Sequence, residues 1–277
     1  MTSHDAPPTA RSGRFTANNV DLHYLEWGSP ESPPLVLIHG GSAHAHWWDH
    51  IARELAHDYR VIALDSRGHG ESGWASPPAY EIEDYVADIA AVVEALQLAP
   101  FVLIGHSLGG FIALTYATRF AASLKALIVV DMGPRLPYSR RTRLLSRIPA
   151  PIYRDEDDLL RRFRLMPEET WSDPTLLQHI ARHSVRALDD GRLTLKIDRA
   201  TFIRGPCDVS AQLSRITCPT LLVRGAASQT LSRTTAQEMA AACPNLRFVE
   251  ISGAGHHVFL DQPLAFLTEV RHFLRTT

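Results

Sequence analysis

Residues 101–111 read Phe-Val-Leu-Ile-Gly-His-Ser-Leu-Gly-Gly-Phe, an apolar run that passes through a glycine-bracketed serine into a segment with helical patterning. Few local sequences constrain a fold as tightly. A buried strand, a sharp turn and a helix must follow one another within ten residues, and the small residues Gly105 and Gly109 allow strand, turn and helix backbones to crowd together. In that context Ser107 projects its hydroxyl from the edge of a sheet as a nucleophile. A glycine-rich turn with an incidental serine is the structural alternative.

The same rhythm extends in both directions. The apolar run 35–38 ends in His39-Gly40-Gly41, Trp48, Ile51, Ala52 and Leu55 recur at helical spacing, and 59–64 is β-rich before the turn at 65–70. Val86, Ile89, Ala90, Val93 and Leu96 form a helical stripe, 111–121 a helix and 126–130 a strand. Beyond residue 219 the segments 220–223, 234–242, 247–251 and 265–275 read strand, helix, strand, helix. Such alternation predicts an α/β fold, a mostly parallel sheet with helices on both faces.

Between about 134 and 215 the alternation stops. Pro137, Pro149, Pro151, Pro167, Pro174 and Pro206 break this stretch into short helices, as in an inserted domain. From Arg135 to Arg204 there are 14 Arg and 1 Lys against 10 Asp and Glu, about +5, in a chain whose net charge is -2. The whole chain therefore carries no field that draws it to nucleic acid or anionic lipid, while the insert is compatible with an anionic small substrate. Cys207, Cys218 and Cys243 are widely spaced and outside any CxxC pattern, which argues against a disulfide framework. The first residues lack an apolar leader and the apolar runs are too short to cross a bilayer, so a cytoplasmic protein without membrane contact is expected.

His39-Gly40-Gly41, Asp65-Ser66-Arg67-Gly68-His69-Gly70-Glu71-Ser72, Gly105-His106-Ser107-Leu108-Gly109 and Gly253-Ala254-Gly255-His256 stand in the order and at the spacing of one family. On these motifs the chain, from about Arg14 to Leu274, resembles the α/β-hydrolase superfamily, in the branch with a helical cap inserted after the sixth strand. The resemblance implies a discontinuous catalytic core, 1–133 and 216–277, and a cap over 134–215. It implies His256 as the base for Ser107, with neighbouring His257 structural. The N–H of Leu108, directly after the nucleophile, is one oxyanion donor by geometry; by resemblance the second comes from Gly41, with Ser42 as a substitute.

The acid departs from the pattern. Most of the family carries it in the loop that here spans 224–232, which has no carboxylate and places Gln229 where an Asp is expected. Asp131, at the end of the strand 126–130, is the working candidate, as in a minority of the family. A Gln229-assisted dyad and an impaired site remain alternatives, and Asp131 could also be a hinge residue of the cap. Asp261 reads as an N-terminal turn residue, and Asp65 and Arg67 as turn-fixing.

His44, His46, Asp49 and His50 approach the H-x-H-x-D-H ligand set of a binuclear metallohydrolase, but the spacing is off by one, so neither metal nor cofactor is expected. His39, His106, Trp171 and Phe163 are expected at the substrate, with Leu165, Met166 and Phe202 as further apolar candidates. The reading is a serine hydrolase, monomeric or homodimeric, that cleaves a small ester or lactone, anionic or aromatic. Hydrolysis of a carbon–carbon bond in a diketone is the runner-up. A non-hydrolytic ligand-binding or lyase-like member is the reading of a different class.

Overall fold

A computed structural model describes residues 9–137 and 140–277, the side chains of 141 and 142 excepted. Residues 1–8, part of the stretch read as lacking a leader, and Tyr138 and Ser139 of the insert lie outside the described residues.

Eight strands form one sheet: β1 (Arg11–Ala17), β2 (Val20–Trp27), β3 (Pro34–Ile38), β4 (Arg60–Leu64), β5 (Phe101–His106), β6 (Leu124–Val130), β7 (Thr220–Gly225) and β8 (Leu246–Ile251). Their order is β1-β2-β4-β3-β5-β6-β7-β8. The strands β3 to β8 are mutually parallel, and β2 is antiparallel to both its neighbours. The central strands are apolar without alternation because helices cover both faces. Leu35 and Leu37 pack with Trp48, Phe259 and Phe266 on one face; Val36 and Ile38 pack with Ile89 and Phe111 on the other. The hairpin β1–β2 is an addition to the sequence reading. Phe15 and Ala17 of β1 are only partly buried, so this edge strand carries little apolar signal.

Because β4 lies on one side of β3 and β5 on the other, the chain changes winding direction at β3. In open parallel sheets the crevice outside the strand ends at such a point is where ligands bind. The loop after β3 and the turn after β5 both open into it. The helices α1 (Asp49–Leu55), α2 (Ile82–Ala95), α3 (Leu108–Phe120) and, after the insert, α7 (Arg233–Ala242) and α9 (Pro263–Arg275) follow as read, while the short α8 (Val258–Asp261) is an addition to the sequence reading.

Between β6 and β7 the chain leaves the sheet as a cap with α4 (Arg140–Arg147), α5 (Glu156–Arg162) and α6 (Pro174–His183). The expectation of helices alone was incomplete. Ile152–Tyr153, Leu193–Leu195 and Val185–Ala187 form a small antiparallel sheet, and Arg135–Leu136 pairs with Cys207–Asp208 at the neck. Strands of two or three residues are too short to show a period.

Candidate active site

Ser107 adopts φ 53° and ψ -122°, a conformation that costs on the order of 1–3 kcal/mol for a residue with a side chain. The surroundings enforce it. A Cβ on Gly105 would lie 2.2 Å from the Gly109 carbonyl oxygen, and one on Gly109 would lie 2.5 Å from the Ile38 and His39 oxygens. The Ser107 N–H is fixed by the Val130 carbonyl at 3.0 Å. Leu108 opens α3, so its N–H has no intrahelical partner and points out of the helix N-terminus, where negative charge is favoured. The loop after β3 closes on the same spot, since a Cβ on Gly40 would lie 3.1 Å from that of Ser107.

His256 follows β8 and is buried. Its Nδ1 donates to Asp131 Oδ2 at 2.7 Å, which leaves Nε2 as the proton-accepting nitrogen. His106, adjacent to Ser107, donates from Nε2 to the His256 carbonyl at 3.0 Å, with the rings 4.7 Å apart. The backbone of His256 is thereby tied to the strand that carries Ser107. Burial, followed by the neighbouring His256 and His257, pushes the pKa of His106 well below the ordinary histidine value.

Asp131 is fully buried at the end of β6. Its Oδ1 accepts from the Gly225 N–H at 3.2 Å, and its Oδ2 accepts from the Ser228 hydroxyl at 2.5 Å as well as from His256. The loop after β7 thus contributes Ser228, while Gln229 is exposed and has no hydrogen-bond partner among the described residues. Sequence reasoning missed Ser228. A strained serine, an imidazole with one nitrogen held by a carboxylate, and N–H groups at a helix start can together transfer an acyl group.

Residues 33–263 match the family profile described as the alpha/beta hydrolase fold. The chain belongs to the α/β-hydrolase family. It is 28% identical over 262 residues to 3-hydroxybutyrate-oligomer hydrolase of Cupriavidus necator, covering 85% of this chain and 86% of that protein. It is 26% identical over 272 residues to 2-(acetamidomethylene)succinate hydrolase of Mesorhizobium japonicum, covering 95% of each. The crystal structure of E-2-(acetamidomethylene)succinate hydrolase superposes with a TM-score of 0.85 at 23% identity, over 96% of this chain and 100% of that one, a likeness of fold.

In this α/β hydrolase a cavity of about 690 Å³ lies over Ser107, lined by Gly41, Ser107 and Leu108 from the core and by Met166, Phe202 and Arg204 from the insert. His39 and His106, expected at the substrate, do not line it. His39 donates from Nδ1 to the Gly40 carbonyl at 2.7 Å and accepts the Ser66 N–H on Nε2 at 3.0 Å, so it fixes the loop after β3 as a neutral ring. Trp171 is 59% exposed and packs against Gly255; Phe163 lines a neighbouring cleft together with Gly41 and Ser42. His257 donates to the Pro167 carbonyl at 2.8 Å, and burial lowers its pKa to about 4.

Asp261 does more than shape a turn. It accepts from the N–H groups of Trp171 at 2.7 Å and Gly255 at 2.9 Å and from the Thr170 hydroxyl, which joins the cap to the His256 loop.

Arg204 was not foreseen as an individual residue; only the basic excess of the insert pointed its way. Its guanidinium lies beside the loop after β3, with Nη2 4.0 Å from where a Cβ on Gly41 would be, and Nη1 donates to the Thr201 carbonyl at 2.6 Å. Among the described residues no carboxylate lies within ion-pair distance of it. Burial pulls its pKa below the ordinary arginine value. Among the described residues no helix is long and apolar enough to cross a membrane.

Proposed function

We propose that this protein is a serine hydrolase that cleaves small esters or lactones through an acyl-enzyme on Ser107. The observation that carries the reading is the 2.7 Å bond from His256 Nδ1 to the buried Asp131 carboxylate, in a protein whose Ser107 stands in a strained turn at a cavity floor. Ser107 Oγ attacks the substrate carbonyl as its proton passes to His256 Nε2. The N–H groups of Leu108 and Gly41 hold the resulting oxyanion. His256 then protonates the departing alkoxide and deprotonates a water that releases the acid and restores Ser107. Asp131 keeps the imidazole in the required tautomer and stabilises its charged form. The cap over 134–215 and the core over 1–133 and 216–277 are the two functional units, a division supported by the strand pairing at the neck.

The substrate carries a carboxylate. Arg204 is a cation in the cavity with no carboxylate within ion-pair distance among the described residues, and two relatives of this chain act on 3-hydroxybutyrate oligomers and on 2-(acetamidomethylene)succinate, both carboxylate-bearing compounds. The main reason to consider a non-hydrolytic member, a loop without an acid, loses force with Asp131 beside His256.

The test is activity-based labelling followed by turnover. A fluorophosphonate should label the protein at Ser107, and chromogenic short esters should be hydrolysed. No labelling together with no turnover of esters, lactones or diketones rejects the hydrolase reading, and turnover of diketones alone moves it to carbon–carbon cleavage. Arg204→Met should raise KM for carboxylate-bearing esters by roughly 10–100-fold, the worth of a hydrogen bond to a charged group, and leave neutral esters nearly unchanged. Equal effects on both remove the assignment of the carboxylate.

A further inference from the structure

The histidine-rich stretch after β3 is scattered by folding. His44 donates from Nε2 to Ser184 Oγ at 2.9 Å, and His50 from its Nε2 to the Phe259 carbonyl at 2.9 Å. His46 instead meets two histidines of the cap, His179 and His183, which lie one turn apart on α6. The His46 ring stacks on His183 at 3.7 Å, His179 lies 4.6 Å from His183, and one nitrogen from each of the three falls within 4.8 Å of the others. Asp49 Oδ2 accepts from His46 Nδ1 at 2.9 Å and from His179 Nε2 at 2.8 Å. Each of those rings, when neutral, therefore keeps its opposite nitrogen free of a proton. A carboxylate behind metal-binding imidazoles fixes tautomer and orientation in just this manner.

We propose that His46, His179 and His183 bind one divalent transition-metal ion of the zinc class, with Asp49 as the outer anchor, and that the ion pins α6 of the cap to the core. Three imidazoles suit zinc, copper or nickel. Zinc–nitrogen bonds of about 2.0–2.1 Å put tetrahedral ligand atoms about 3.4 Å apart, so the rings must close by on the order of 1 Å and the stacked His46 and His183 rings must turn until both lone pairs point at the ion. The three histidines are only partly buried, which leaves room for that shift and a path for the ion. Local spacing could not show this site, because two of its three ligands come from residues more than 130 positions away.

Tag-free, EDTA-treated protein titrated with zinc chloride should bind one equivalent with micromolar or tighter affinity and gain thermal stability that rises with the logarithm of free zinc above the Kd. His179→Gln and His183→Gln should each weaken binding at least tenfold and abolish the stabilisation; Asp49→Asn should weaken it by roughly 10–100-fold. His272→Gln, on the exposed face of α9, should bind as the parent does. Zinc should also protect His179 and His183 of the unaltered protein from diethyl pyrocarbonate, a readout independent of how any variant folds. Binding that survives the double His179→Gln/His183→Gln change, or absence of both stoichiometric binding and protection, overturns the proposal.

Discussion

Asp131 has φ 51°, a left-handed conformation that Asp tolerates better than most residues, and three donors converge on its carboxylate. On the proposed mechanism, replacing it with Asn removes the negative charge that would stabilise the imidazolium and presents His256 with an amide that can hold the wrong tautomer. Asp131→Asn should lower kcat by roughly 10⁴-fold with little change in KM. Ser228→Ala should cost less, about tenfold, because one of three donors is lost, whereas Gln229→Ala should stay within about twofold. Steady-state kinetics on one ester separates the three, and a crippled Gln229→Ala would move the acid function away from Asp131. Asp131 could be singled out in the sequence because it closes an apolar strand at a position where a minority of the family carries its acid, and the structure brings it within 2.7 Å of His256 Nδ1. Ser228 was not, since its position depends on how β7 pairs with β6, a register no local pattern encodes.

A buried ion pair joins the turn after β4 to α2. Arg67, in the turn after β4, donates from Nε and Nη2 to the two oxygens of Asp88 on α2 at 2.6 Å each, and from Nη1 to the Ala79 carbonyl. Asp88→Ala should destabilise the fold by about 3–5 kcal/mol, because it strands a guanidinium that is only 2% exposed, and Arg67→Met in the same chain should recover much of the loss. Urea midpoints of the single and double variants test this; additive losses would contradict it. The turn-fixing role of Arg67 was readable from its setting among glycines. The start of α2 was less so, for the helix begins at Ile82 behind Glu81, whose N–H bonds to Asp84, and not behind the usual Ser, Thr, Asn or Asp. The long helices and central strands were legible because each satisfies its own periodicity. The short strands of the cap were not, because they exist only where distant segments meet.

At the scale of the whole molecule, the seam between core and cap is lined with buried histidines. His44 bonds to Ser184, His257 to the Pro167 carbonyl, and His69 pairs through its backbone with Ile197. Burial lowers the pKa of His44 and His69 to about 3 and of His257 to about 4, from an ordinary 6.5. Below pH 6.5 the opened form takes up protons that the closed form refuses until pH reaches about 3–4, so stability is complete above 6.5 and is lost as pH falls through that window. Hydrogen exchange in α6 and the urea midpoint should both report this weakening between neutral pH and pH 4; a stability flat over that range would contradict it. The alternation of strands and helices made the sheet legible and its interruption marked the segment between β6 and β7, but the contacts that join the two come from residues far apart in the chain. The neck has a different kind of consequence. Where Arg135–Leu136 and Cys207–Asp208 pair, the chain departs and returns at adjacent positions, about 4.8 Å apart. To the sheet, everything between those points is one surface loop. A lineage can therefore exchange that whole interval, and with it the menu of compounds admitted, while the chemistry beneath is inherited unaltered.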